Sequence, residues 1–97
     1  MAQVRTWAAF DVHVSGVVAA TLERDSGELR VQRLGGRSDE VAAFAGRLPG
    51  PVRATYEAGP TGFVLARKLQ AVGVECVVCA PGLISARGER SGQDRPS

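Results

Sequence analysis

The 97-residue chain has room for one small domain. Its hydrophobic content of 44% suits a globular core, but aromatics are only 5%, so that core must be built from Val, Ala and Leu. A net charge of +2 and a pI near 8.9 are compatible with a nucleic-acid partner without demanding one. With no charged-then-apolar leader and no long apolar run, neither a signal peptide nor a membrane span is expected.

Residues 4–14 are apolar with small residues interspersed, the composition of a central strand buried on both faces, with Trp7 in the core. After the turn signal Ser15-Gly16, a second strand is expected over 17–24. The tight turn Asp25-Ser26-Gly27 then leads to a third over 29–34, whose alternation suits one solvated face. Three strands with short links make an antiparallel meander. Ser38 reads as a helix N-cap, with Asp39 and Glu40 favourable in the first turn and Val41, Phe44, Ala45 and Leu48 on one apolar face. Pro49-Gly50-Pro51 stops that helix.

A short strand over 52–56 ends at Glu57. Gly59-Pro60-Thr61-Gly62 then turns into a second helix, with Pro60 near its start, Leu65, Leu69 and Val72 as its buried stripe and Gly73 just beyond its end. A last, buried strand over 74–79 is closed by Ala80-Pro81-Gly82. The predicted class is α/β in the order β-β-β-α-β-α-β, with parallel pairing across the helical crossovers and hence a mixed sheet. From Ser85 the composition changes abruptly. Residues 1–84 read as the domain and 85–97 as a polar tail, disordered in isolation.

Two cysteines without a leader point to a reducing cytoplasm. Cys76 and Cys79 have a spacing used by zinc and redox sites. An offset of three along a strand, however, points the thiols to opposite faces, and no second pair or His cluster completes a zinc site.

The informative residues are Asp11, near the end of the first strand, and Glu57, at the end of the fourth. Each sits among apolar residues, where a carboxylate is costly unless something positive pairs with it. A Mg²⁺ ion held by both would account for the two acids, since carboxylates are hard oxygen donors suited to it. The plainer alternative is two solvated strand ends. His13 shares the face of Asp11 and reads as a surface histidine, with a role beside a metal as the alternative. Tyr56 reads as packing or capping, and Gly59 and Gly62 flank a helix start whose amides could meet a phosphate.

Three segments together, Phe10-Asp11-Val12-His13, Tyr56-Glu57-Ala58-Gly59-Pro60-Thr61-Gly62-Phe63 and Gly73-Val74-Glu75-Cys76-Val77-Val78 followed by Ala80-Pro81-Gly82-Leu83-Ile84, resemble the N-terminal domain of the insertion-sequence-110 transposases. The resemblance runs over residues 6–84. It implies an RNase H-like, RuvC-type fold and an Asp-Glu-Asp-Asp Mg²⁺ site. It also implies recombination of DNA, at element ends and target, guided by an element-encoded RNA, by a protein that is a homo-oligomer at full length. Asp11 and Glu57 match the first two family acids, and Asp94 stands near the place of the third. Ser97 falls where the fourth would be, which leads to the expectation of a truncated, inactive remnant. Outside that family, the same elements suit a Holliday-junction resolvase-like nuclease, the ATP-handling half of an actin-like kinase, or a small interaction protein without catalysis.

Overall fold

A computed structural model of the chain describes residues 3–59 and 62–80. Five strands and two helices follow one another as β1 (Thr6–His13), β2 (Gly16–Glu23), β3 (Leu29–Leu34), α1 (Ser38–Gly46), β4 (Val52–Glu57), α2 (Val64–Ala71) and β5 (Glu75–Cys79). The strands form one mixed sheet in the order β3-β2-β1-β4-β5. The meander β1-β2-β3 is antiparallel, and β4 and β5 add to β1 in parallel. The first strand is therefore central, as expected. Among the described residues no helix is long and apolar enough to cross a membrane.

Both helices pack on the same face. The core joins Ala8 and Phe10 of β1, Val17 and Ala19 of β2 and Ala54 and Tyr56 of β4 to Val41, Ala42 and Ala45 of α1 and Leu65, Ala66 and Leu69 of α2. Phe10 meets Phe44 edge-on, with ring centroids 6.4 Å apart. The opposite face carries no helix among the described residues. The expectation that β1 is buried on both sides is thus corrected: its residues alternate, and Trp7, read from the sequence as core, is 39% exposed. The reason is topological. The crossovers β3-α1-β4 and β4-α2-β5 run the same way across the sheet, and crossovers of one hand then deliver both helices to one side.

Smaller corrections have local causes. Ser38 is the first helical residue rather than the N-cap. Arg37 occupies the cap position without a side-chain bond, and the Ser38 hydroxyl instead accepts from Lys68 Nζ at 2.8 Å. Lys68 also reaches Asp39 at 2.7 Å, tying α2 to the start of α1 and holding the Asp39 carboxyl below its ordinary range. Val72 is 45% exposed, and Ala66 takes its place in the buried stripe. Val72 lies instead over Gly46, where an added Cβ would come within 3.3 Å of it, so α1 and α2 approach through a glycine.

β3 is exposed along its length apart from Leu34, because it lies at the sheet edge beyond the helices. β5, at the other edge, is only half-buried. Gly73 does close α2: at φ +85° it donates to Gln70 O at 3.0 Å while Val74 donates to Leu69 O at 3.0 Å, the paired bonds of a Schellman end. The reading of Pro60 at the start of α2 and the tail over 85–97 lie outside the described residues.

Candidate functional site

Strand register places the side chains of the open face in three rows. Leu29, Leu22, Trp7, Arg53 and Glu75 lie level, with Arg53 and Glu75 joined at 3.0 Å. Val31, Ala20, Ala9, Thr55 and Val77 form the next row. The two alanines floor a shallow apolar hollow of about 290 Å³ walled by Trp7, Leu22 and Val77. The third row begins Arg33, Val18, Asp11, and Glu57 and Cys79 are paired at its far end.

Asp11 and Glu57 both belong to that third row by strand parity. The last paired residues of the parallel ladder between β1 and β4 are Phe10 and Tyr56, which face the core. One step further along both strands come the two acids, on the open face. Neighbouring strands are about 4.8 Å apart, so the backbone sets the acids side by side at the carboxyl ends of the two central parallel strands.

Their environments differ. The Asp11 side chain is 70% exposed, and its Oδ2 lies 2.9 Å from Nε2 of His13, itself 57% exposed. Glu57 is half-buried, and its Oε2 is buried with no hydrogen-bond partner among the described residues. A bare buried carboxylate oxygen is unfavourable unless a cation or a proton satisfies it. Among the described residues no three His, Cys, Asp or Glu side chains gather closely enough to hold a metal ion. Asp94, the third candidate, lies outside the described residues.

The support beneath the site is Tyr56. Its ring is 1% exposed on the core face, and its hydroxyl donates to Gly62 O at 2.6 Å and accepts from Ala66 N at 3.0 Å. Phe63, at the cap position of α2, offers no side-chain bond, so the tyrosine supplies the missing acceptor for a first-turn amide. Burial is the main reason that its hydroxyl pKa is raised. The reading of Tyr56 as a packing and capping residue is met on both counts.

Cys76 and Cys79 are free thiols on opposite faces. Cys76 packs against the core, and burial raises its pKa. Cys79 lies 3.5 Å from the Thr55 hydroxyl on the open side. What the sequence reading missed is Arg33. Its alternation within β3 was visible, but its place in the row of Asp11 depends on register across two strand pairs, which a single sequence does not reveal.

Over 84 residues the chain is 32% identical to the transposase for insertion sequence element IS1533 of Leptospira borgpetersenii. The chain is related in sequence to a transposase. The match takes in 82% of this chain but 24% of the relative, so the chain spans about a quarter of the length of the curated relative it matches. No family model matches the chain.

Proposed function

We propose that this chain is an RNase H-like, RuvC-type domain of an insertion-sequence-110-type transposase. In this reading its open sheet face works on DNA during transposition, with Asp11 and Glu57 as Mg²⁺-binding carboxylates and Asp94 as a further ligand. The observation that carries the reading is the pair itself. Two acids follow directly on the last paired residues of the two central parallel strands, and one has a buried oxygen that no described residue satisfies. The sheet order, with the meander followed by two parallel crossover strands, and the similarity to a transposase support it.

The donor set fits Mg²⁺, which takes one or two carboxylates and keeps several waters. When bound, it would offset the negative charge of a phosphodiester against the two acids. The protein's own part is to hold the carboxylates in fixed register. β1 and β4 are hydrogen-bonded side by side, and Ala58 N donates to Cys79 O at 2.8 Å, so the backbone just past Glu57 is still tied to the sheet. Tyr56 anchors the turn that follows. His13 shares Asp11 Oδ2 and orients that carboxylate. The same reading takes DNA at the element ends and target as substrate, an element-encoded guide RNA as partner and a homo-oligomer as the working form.

Titration calorimetry with Mg²⁺ tests the site without any need for turnover. Binding heat in the parent chain should vanish in Asp11→Asn and in Glu57→Gln, with both variants folded by circular dichroism. Binding that survives unchanged in both variants would overturn the assignment of these two residues.

A further inference from the structure

Arg33 shares a row of the open face with the acid pair: it is level with Val18, and Val18 is level with Asp11. Two strand spacings, about 9.6 Å in all, separate its backbone from that of Asp11. The other arginines in or next to the strands are held by carboxylates, Arg5 by Glu23 at 2.8 Å and Arg24, Arg30 and Arg53 by Asp25, Glu28 and Glu75 at 3.0 Å. Arg33 is exposed and forms no ion pair with any described carboxylate. It lines a small cleft with His13, Ser15 and Gly16, on the side of Asp11 away from Glu57.

We propose that Arg33 is a phosphate-positioning residue. It grips the phosphodiester next to the one set against Asp11 and Glu57, and so lays a single strand of DNA along this row of the sheet. The inference rests on the carboxylate reading above and adds a residue and a direction to it. A guanidinium suits the task because its planar fork matches two phosphate oxygens at once. The charges make the contact conditional. Two carboxylates against one guanidinium leave the row net negative, which repels a polyanion at this range. The grip therefore forms when a divalent cation has neutralised the acids, and Arg33 contributes little before that.

Fluorescence anisotropy with the full chain and a short mixed-sequence single-stranded DNA tests this, in Mg²⁺ and in EDTA, over a range of salt. Arg47→Gln is the control, since Arg47 is exposed beside α1, away from the open face, and has no ion pair with a described carboxylate. In Mg²⁺, Arg33→Gln should weaken binding about tenfold and reduce the log–log salt slope by about 0.7, the loss of one phosphate contact on a single strand. Arg47→Gln should stay within about twofold of the parent, and in EDTA the Arg33→Gln effect should fall to the same level. Calorimetry should show Mg²⁺ binding retained in Arg33→Gln. Equal losses in the two variants, or an Arg33→Gln loss of the same size in EDTA, would overturn the positioning role while leaving the carboxylate site standing. No Mg²⁺ binding by the parent chain would overturn the carboxylate reading, and this proposal with it.

Discussion

On the helix-covered face of the sheet, Ala8, Phe10, Ala54 and Tyr56 of the two central strands are 4% exposed or less. On the opposite face the intervening residues of the same strands, Trp7, Ala9, Asp11 and Arg53, are exposed. Strand parity thus separates support from chemistry. Phe10 and Tyr56 hold the two strands against the helices, and the residue after each is an acid that faces outward. Packing fixes the backbone beneath the two acids while leaving the Asp11 carboxylate open to solvent.

The largest test of that separation is a matched pair of truncations. Leu69 is fully buried between α2 and the sheet, and Leu69→Ala should cost about 2–5 kcal/mol in a urea titration. Leu22 is 41% exposed on the open face, and Leu22→Ala should cost about 0.5 kcal/mol. Comparable losses at the two positions would mean that the open face is packed in solution, and the comparison would then have to be redrawn.

Tyr56→Phe probes the link between the faces. It leaves the Ala66 N–H and the Gly62 carbonyl without their partner, which should cost about 1–3 kcal/mol by the same titration. A neutral result would show that the hydroxyl does not cap α2.

Glu57→Gln should behave in the opposite sense. Replacing a carboxylate whose buried oxygen has no partner among the described residues should leave the metal-free protein unchanged or more stable by up to about 1 kcal/mol. The rise in thermal midpoint on adding Mg²⁺ should be lost. A destabilised metal-free variant would show that Glu57 has a partner in solution and is not held ready for a cation.

These contrasts also mark where sequence reasoning holds. The seven elements were legible because their boundaries are chemical: Asp25-Ser26-Gly27, Pro49-Gly50-Pro51 and Gly73 each interrupt an apolar pattern. The central place of β1 was expected from burial on both faces, and it holds although only one face is buried. That one-sided burial was not legible, because Ala8 and Ala9 in succession look alike on either face and only the placement of both helices tells them apart. That placement follows from the shared hand of the crossovers β3-α1-β4 and β4-α2-β5. Asp11 and Glu57 were legible as acids in apolar strands. The burial of Oε2, without a partner among the described residues, was not, because the exposure of a single atom is not written in a strand pattern. Nor was the use made of the expected cap of α1: Ser38 looks like an N-cap acceptor, but its hydroxyl accepts from Lys68, thirty residues away, which also pairs with Asp39.

The smallest expected effect lies at the other end of the sheet and sharpens the contrast between two glutamates. Glu23 is the satisfied counterpart of Glu57. It accepts from Arg5 Nε at 2.8 Å, from Ser26 N at 2.9 Å and from Asp25 N at 3.2 Å. Its pKa is lowered from 4.5 to about 2, first by the hydrogen bond from Arg5 and then by those from Ser26. A carboxylate whose folded pKa is depressed stabilises the fold fully above its unfolded value, and that contribution is lost as pH falls through the folded value. The thermal midpoint of the parent chain should therefore decline between about pH 4.5 and pH 2, with Asp39, lowered by Lys68, adding to the same acid limb. Glu23→Gln should flatten that limb without abolishing it, because the Asp39 contribution stays. If the two pH profiles superimpose, the Arg5 bridge is not formed in solution, and the contrast between a saturated and a bare glutamate on one sheet loses its first member.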